Sequence, residues 1–358
     1  MKRARYRGSS SGETILLRST KRIKLHSMLN NFLLALLFLI ILAAIVGLLA
    51  LITGANPLNV LYWILWGGFS PQQIPETLLR ASPILIIASG LAIPYMAKVW
   101  NIGSEGQLIF GAIGTAWIGI HLSGWGSFGI LIAVLFGGLC GLVWALIPGL
   151  LRVYRGSNEV LTTLMMNYIA IYMASYLLNG PLKSKASLFP ETDLVGRDLW
   201  LDPLFPGTRI HAGILISLAL LPLAIHILFG RSLIGLRLRI IGAGEVQARY
   251  FKLNSGLIVI LSMIFSGFMA GVAGSLEVLG VHHRALPTIS QGYGYLAIPV
   301  AMISGPSAPM LLIASIGLGG VTNGVTVAQM ITGIPSGMMY ILQGFLLIMA
   351  LIIIKIRG

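Results

Sequence analysis

The sequence predicts an all-α, polytopic membrane protein with about ten transmembrane helices, some of them short or broken. Of its 358 residues, 56% are hydrophobic and only 9% are charged, whereas a soluble domain carries about 25% charged residues. Apolar runs long enough to cross a bilayer recur along the chain. Basic residues gather between these runs and in the N-terminal tail, as membrane topology requires.

Composition also excludes several functions. The net charge of +14 does not indicate nucleic-acid binding, because no soluble basic domain is present to carry it. Cys140 is the single cysteine and lies in an apolar run, so neither a disulfide framework nor a cysteine-ligated metal site is expected. The chain contains neither a P-loop nor an H-E-x-x-H motif. We expect no catalytic residues, no metal, no cofactor and no enzymatic activity.

In chain order, residues 1–30 form a basic cytoplasmic tail and residues 31–355 the transmembrane domain. The first apolar run is too long for a cleaved signal peptide and is predicted to span the membrane. Pro57–Phe69 is short and broken by Pro and Gly, which favours an interfacial position. The predicted spans are 31–52, 78–97, 108–121, 127–148, 160–178, 210–229, 257–279, 295–303, 309–327 and 338–354.

Two of these spans are too short for a full crossing. Residues 108–121 and 295–303 fall below the roughly 20 residues of a spanning helix, so we interpret them as half-helices or re-entrant segments. Arg80, at the start of the second span, is expected to snorkel outward.

The distribution of Lys and Arg predicts the orientation. With ten spans, 18 of the 24 basic residues fall on the side of the N-terminal tail, which favours cytoplasmic N- and C-termini. The segment 180–208 has mixed charge and is predicted to be external, whereas the loop 231–255 is predicted to be cytoplasmic.

That loop contains the stretch RSLIGLRLRIIGAGEVQARYFK (231–252). Five basic residues face a single acid there, and apolar residues alternate with them. A merely solvated loop would not need the apolar residues. We therefore predict that the loop docks on a soluble partner beneath the membrane.

Polar side chains within apolar segments are the candidate solute-pathway residues, because each is costly in the bilayer. Glu105 follows a Pro-broken span, and Asn101, Ser104 and Gln107 surround it. Irregular polar backbone at membrane depth is tolerated where it lines a wet cavity or is buried in protein. Two interpretations stay open, a pathway wall or a cytoplasmic turn beside Lys98.

A second polar group lies on the fifth span. Glu159, Thr163 and Asn167 are spaced at i, i+4 and i+8, which places them on one helical face. Such a stripe either faces a water-filled path or forms hydrogen bonds with a neighbouring helix. Asn323, in the ninth span, is a weaker pathway candidate.

Small residues predict close helix packing. Gly137 and Gly141, Gly267 and Gly271, and Gly320 and Gly324 are each four residues apart, a spacing that lets two helix backbones approach closely.

Four stretches together carry a family resemblance: NIGSEGQLIFGAIG (101–114), SNEVLTTLMMNYIA (157–170), GLRLRIIGAGEVQARYFKLN (235–254) and GVHHRALPTISQGYGYLAIPVAMISG (280–305). They resemble the permeases of bacterial ABC importers in the branched-chain amino acid, ribose and nucleoside family, and most of all the nucleoside or simple-sugar branch. The resemblance covers about residues 78–354 and implies a type II-like ABC importer permease in the bacterial plasma membrane.

The resemblance also implies the partners, which are a separate ABC ATPase, a second permease (a paralogue), an extracytoplasmic substrate-binding lipoprotein and membrane lipid. The loop would dock on the ATPase. The residues assigned to this coupling are Arg239, Gly242, Glu245, Ala248, Arg249 and Tyr250. The family usually has Gly after the Ala-Arg-Tyr step, where this chain has Phe251 and Lys252.

The expected solute is a nucleoside or simple sugar, because the candidate wall offers mostly uncharged polar groups. The alternatives are a secondary transporter or channel for a small polar solute, and an ABC permease for branched-chain amino acids.

Overall fold

The computed structural model describes residue 41, residues 43–335 and residues 337–357, and this part of the chain is helical and without β-strands. The basic tail and half of the first predicted span lie outside the described residues. The helices are α1 (Ala43–Ile52), α2 (Pro57–Phe69), α3 (Ile74–Met96), α4 (Ser104–His121), α5 (Gly126–Arg155), α6 (Glu159–Asn179), α7 (Ala212–Ala219), α8 (Leu221–Ile225), α9 (Leu233–Ala243), α10 (Glu245–Tyr250), α11 (Ser255–Glu277), α12 (Tyr293–Ser304), α13 (Ala308–Thr332) and α14 (Gly337–Arg357).

Six helical segments in the described residues are long and apolar enough to cross a membrane. They are Ile74–Met96, Gly126–Arg155, Glu159–Asn179, Ala212–Gly230 (α7, α8 and a π-helical turn), Ser255–His282 (α11 and a π-helical turn) and Ala308–Thr332. The all-α, multi-span prediction is confirmed, whereas the count of ten spanning helices is not.

The bundle has two ends that differ in charge. α3 connects them, because Glu76 near its start pairs with Arg209, whereas the carbonyl of Met96 at its end packs against Gly242. We call residues 96–100, 152–159 and 231–256 the basic end. We call residues 74–80, 121–126, 180–211 and 278–291 the mixed-charge end.

The helices α3–α6 and α11–α14 form two halves that run in opposite directions. α3 runs toward the basic end and is followed by an irregular segment (97–103), and α11 runs toward the mixed-charge end and is followed by another (283–292). Each irregular segment begins near a residue with positive φ, Lys98 at 55° and His283 at 56°. α4 packs on α11 and α12 packs on α3, while α5 packs on α11 and α13 on α3. This is the arrangement of an inverted repeat with broken helices.

The predicted glycine pairs lie where helix backbones meet. A Cβ atom placed on Gly141 would lie 2.3 Å from the carbonyl oxygen of Gly267, and one on Gly271 would lie 2.3 Å from that of Gly137. α5 and α11 therefore cross with their backbones in contact, and any side chain at these positions would separate them.

The third glycine pair joins α13 to α2. A Cβ atom on Gly324 would lie 2.0 Å from the Ile64 carbonyl oxygen, and Gly320 packs against Gly68. Pro57–Phe69 therefore runs antiparallel to the long helix α13 and packs along it.

Candidate functional site

Side-chain amides form a hydrogen-bond network at the start of α4. The Asn101 and Gln107 side chains pair reciprocally, with N···O distances of 3.1 and 3.2 Å. Asn101 Oδ1 also accepts from the backbone N–H of Gly103 (2.8 Å), and its Nδ2 donates to Ser266 Oγ of α11 (2.6 Å). Asn101, Gln107 and Ser266 are all buried, so this cluster fixes the entry of the chain into α4.

The polar stripe on α6 holds the same segment from the other side. Thr163 Oγ1 accepts from the backbone N–H of Ile102 (3.1 Å). Asn167 Oδ1 accepts from the N–H of Gly106 (2.9 Å), and Asn167 Nδ2 donates to the Ile102 carbonyl oxygen (2.8 Å). Of the two interpretations given by the sequence, the hydrogen bond to a neighbouring segment is the one that this structure displays.

Glu159, at the start of that stripe, lies at the basic end. Its carboxylate pairs with Arg152 of α5 at 3.2 Å, and the helix is capped instead by Asn158, whose Oδ1 accepts from the Val160 N–H (2.9 Å). Glu159 therefore joins α5 to α6 rather than facing the other polar residues.

Glu105 connects the two half-helices. Its Oε2 accepts from the backbone N–H of Gly294 at the start of α12 (2.9 Å), and Ser104 Oγ donates to the Gly294 carbonyl oxygen (3.0 Å). A Cβ atom on Gly294 would lie 2.4 Å from the Glu105 backbone nitrogen. Glu105 is buried against α12 inside the bundle, and not in a turn beside Lys98.

Gln343 of α14 repeats in the second half what Asn167 does in the first. Its Nε2 donates to the carbonyl oxygen of Gln291 (3.1 Å), just before α12, as Asn167 donates to Ile102 just before α4. The sequence analysis missed Gln343. Only a comparison of α6 with α14 as repeat counterparts would have identified it.

Asn323 lies apart from the other predicted pathway residues. Its Nδ2 donates to the Gly67 carbonyl oxygen (2.7 Å) and to Gln73 Oε1 (3.3 Å), so it joins α13 to α2. The junction of α4 and α12 brings together Asn101, Ser104, Glu105, Gln107, Thr163 and Asn167. A direct role of these residues in solute passage stays a prediction.

The predicted coupling residues form two short helices at the basic end. Gly242 sits against the end of α3, where a Cβ atom would lie 2.5 Å from the Met96 carbonyl oxygen. Arg239 donates to the Gly230 carbonyl oxygen, and Ala248 is buried. α9 and α10 are therefore fixed to the membrane-spanning body.

α10 turns one side outward. Glu245 and Arg249 form an exposed i,i+4 ion pair, and Val246 and Tyr250 beside them are 78% and 82% exposed. A short helix that shows both apolar and charged side chains has the composition of a docking surface.

The mixed-charge end carries a network that the sequence analysis did not anticipate. Arg80 donates to Gln291 Oε1 (3.0 Å) and lies 3.6 Å from Glu76, which also pairs with Arg209. The Arg80 side chain is only 13% exposed, so it lies within this network, and its expected outward direction stays a prediction. The network links the start of α3 to the residue pair that precedes α12.

The segment 180–208 is attached firmly to this end. Thr192 donates its backbone N–H to the Ala285 carbonyl oxygen (3.2 Å). Asp198 Oδ2 accepts from the N–H groups of Gly126 and Gly124 (2.9 Å each). The Gly126 and Gly124 bonds hold the pKa of Asp198 below its ordinary value, against a smaller opposing effect of desolvation.

A family model described as "Branched-chain amino acid transport system / permease component" matches residues 73–351. The chain is 28% identical to the guanosine ABC transporter permease NupP of Bacillus subtilis over 306 residues, which cover 84% of this chain and 87% of that protein.

Two further relatives have similar coverage. The chain is 27% identical to the glucose ABC transporter permease TsgB13 of Haloferax volcanii (77% of this chain, 75% of the relative). It is 25% identical to the nucleoside ABC transporter permease NupB of Lactococcus lactis (69% and 70%). No solved structure matches the chain.

Proposed function

The chain belongs to the family of branched-chain amino acid transport system permease components, and from this premise we propose that it carries an uncharged nucleoside or simple sugar in an ATP-driven importer. Membership makes it a multi-pass membrane permease and a transport component rather than an enzyme. The relatives named for guanosine, nucleosides and glucose support this solute class.

The main observation behind the proposed solute class is that the N-termini of α4 and α12 already have side-chain hydrogen-bond partners. In transporters with broken helices, free helix N-termini point at anionic groups of the substrate, such as an amino-acid carboxylate. Here the N-terminus of α12 is occupied by the Glu105 carboxylate and that of α4 by the Asn167 amide oxygen. The carboxylate of a zwitterionic amino acid would have to compete with these side chains at both helix starts, which favours a neutral solute.

The solute class is tested in reconstituted vesicles that contain this permease, a second permease, the ATPase and the binding lipoprotein. Guanosine, glucose and leucine are compared for stimulation of ATP hydrolysis and for uptake. We expect stimulation by guanosine or glucose and none by leucine. Stimulation by leucine alone would reject the class in favour of a branched-chain amino acid permease.

We further propose that the basic end is cytoplasmic. Among the described residues it carries eight Lys and Arg residues against two acids, whereas the mixed-charge end carries six against five. Positive residues are retained on the cytoplasmic side. The binding lipoprotein would then meet the mixed-charge end, and both chain termini would be cytoplasmic.

The exposed side of α10 is proposed to dock on a separate ATPase chain. Gly242 holds α9 against the last turn of α3, so a push on α10 is transmitted to a spanning helix. The exposed Val246 and Tyr250 supply apolar contact, and the Glu245–Arg249 pair supplies charge.

The docking is tested with the double variant Glu245→Lys, Arg249→Glu. An i,i+4 pair of opposite charges is retained, so α10 should keep its local stability to within a few tenths of a kcal/mol, while the charge pattern offered to the ATPase is reversed. We expect loss of ATPase co-purification and at least about a tenfold drop in transport, equivalent to about 1.4 kcal/mol of coupling.

The matched control exchanges the charges of another exposed pair, Arg197 and Asp202 (2.9 Å), at the opposite end. That variant should still co-purify with the ATPase. Normal transport by the Glu245/Arg249 exchange would remove α10 from the docking surface.

A further inference from the structure

α6 buries only a narrow stripe of its surface. Its buried residues are Glu159, Thr163, Asn167, Ala170, Ala174 and Leu178. The side opposite to this stripe exposes three tyrosines, with Tyr168, Tyr172 and Tyr176 at 50%, 71% and 71%. We call these three residues the tyrosine face.

The neighbouring helix α5 has an exposed side of a different kind. It shows an unbroken aliphatic row, which suits contact with lipid chains. That row comprises Leu131, Leu135, Leu139, Val143 and Ile147. The exposed side of α6 also carries Leu161 and Met165 (58% and 45% exposed), so it differs from α5 by the three tyrosine rings and their hydroxyl groups.

The position of Tyr168 near the middle of α6 distinguishes the tyrosine face from an ordinary membrane-interface tyrosine. Tyr168 lies nine residues after Glu159 and eleven before Asn179, so at about 1.5 Å per residue it is roughly 14–16 Å from either helix end. Tyrosines are enriched at the two membrane interfaces, which accounts for Tyr176 but not for Tyr168. A hydroxyl left in hydrocarbon without a partner is costly.

The tyrosine face also adjoins the junction of the half-helices. Tyr295, in the first turn of α12, is partly exposed. It follows Gly294, whose backbone N–H donates to Glu105, and Asn167, which precedes Tyr168 in α6, accepts from the Gly106 N–H at the start of α4. A partly exposed aromatic residue therefore lies at the junction that α6 supports.

We propose that the tyrosine face lines the water-filled route between this chain and the second permease, and that its rings stack on the base or sugar of the passing solute. The buried stripe of α6 holds the half-helix behind this wall. This inference rests on the proposed function, and it adds the exposed side of α6 to the residues that would line the route. Stacking on aromatic rings is available to every nucleobase and needs no fixed charge.

Water contact is tested by thiol labelling of the complete transporter. Cys140 is the single cysteine of this chain, so Cys140→Ala gives a permease free of thiols, and its labelling is read on the separated permease band. Tyr168→Cys is compared with Val143→Cys, which is at similar depth on α5 and similarly exposed (56%). We expect a membrane-impermeant maleimide to label Tyr168→Cys at least about tenfold faster than Val143→Cys. Equal and slow labelling would place the tyrosine face in lipid or in a sealed interface and overturn the inference.

Solute contact is tested with Tyr172→Phe and Tyr172→Ala, using guanosine as the probe. Tyr172→Phe keeps the ring, so its KM for uptake should stay within about twofold, whereas Tyr172→Ala should raise KM about tenfold, the scale of one lost stacking contact. Val143→Ala, an exposed change in the aliphatic row of α5 (56%), serves as the folding control and should leave KM unchanged. An unchanged KM in Tyr172→Ala would overturn the stacking role.

The two proposals fail in distinguishable ways. If the unmodified transporter takes up no guanosine and no glucose, the proposed solute class is wrong. Rapid labelling of Tyr168→Cys would still support the tyrosine face as the wall of the route in that case, because labelling does not depend on the solute.

Discussion

At the scale of single residues, Glu105 and Asn167 supply hydrogen-bond acceptors to the starts of two helices that begin inside the bundle. The first N–H groups of a helix have no partner within it, and water is not available to supply one at that depth. Asn167 accepts from the start of α4, and Glu105 accepts from the start of α12. Glu105 also lies in the first turn of α4, so one carboxylate complements the positive ends of two helices.

Asn167→Ala is therefore predicted to destabilise the protein. The change leaves the Gly106 N–H and the Ile102 carbonyl without their side-chain partners. Side-chain hydrogen bonds in membrane bundles average below 1 kcal/mol and reach about 1.7, so for the two bonds we expect a loss of about 1–2 kcal/mol. Thermal unfolding in detergent measures it.

The control for that variant is Ile169→Ala, two residues away on the exposed side of α6. It removes a side chain of comparable size without touching the start of α4. If both variants unfold at the same temperature, the hydrogen bonds of Asn167 do not hold the half-helix.

The sequence predicted the position of a side chain correctly where that position depends on local helical periodicity. The spacing of Thr163 and Asn167 placed them on one face, and the structure has both on the buried stripe. Their partner Ile102 is about 60 residues away, and no local pattern identifies such a contact. The partner of Arg80 was not predicted for the same reason, because Gln291 is 211 positions further along the chain.

At the scale of helices, the crossing of α5 and α11 depends on the absence of side chains. Four glycines bring the two backbones together, as the spacing predicted. The sequence could not say which glycine pair faces which, since the GxxxG pattern marks a helix as able to pack closely and does not name its partner. The eighth segment is short as expected, because α12 has only 12 residues, whereas the third segment is the 18-residue helix α4.

Gly271→Ala is predicted to disrupt this crossing. The added Cβ atom would lie 2.3 Å from the Gly137 carbonyl oxygen, so the helices must separate or tilt, and overpacking of this kind costs about 1–3 kcal/mol. We expect a lower unfolding temperature and reduced transport.

Gly317→Ala, on α13, is the matched control, because no atom lies within 4 Å of its Cβ position. It should be neutral or slightly stabilising, since Ala is favoured over Gly in a helix by about 0.5–1 kcal/mol. Equal behaviour of the two variants would show that the α5–α11 contact is looser than described.

At the scale of the whole molecule, the two inverted halves have helix breaks at equivalent positions, although the residues at those positions differ. Lys98 and His283 mark the same position in the backbone, and Asn167 and Gln343 perform the same task with different side chains. Reading the sequence as a string of spans does not reveal this relation, because the backbone is repeated and the amino acids are not.

The separation of charge between the ends predicts the orientation in the membrane, and a labelling experiment in whole cells measures it. In the Cys140→Ala background, Leu188→Cys places a thiol on the mixed-charge end, where Leu188 is 95% exposed, and Tyr250→Cys places one on α10. An impermeant maleimide added to intact cells should label Leu188→Cys only, and permeabilisation should add Tyr250→Cys. Labelling of Tyr250→Cys should then fall when the ATPase is co-expressed, because α10 would be covered. Labelling of Tyr250→Cys in intact cells would put the basic end outside, where no ATPase could reach it.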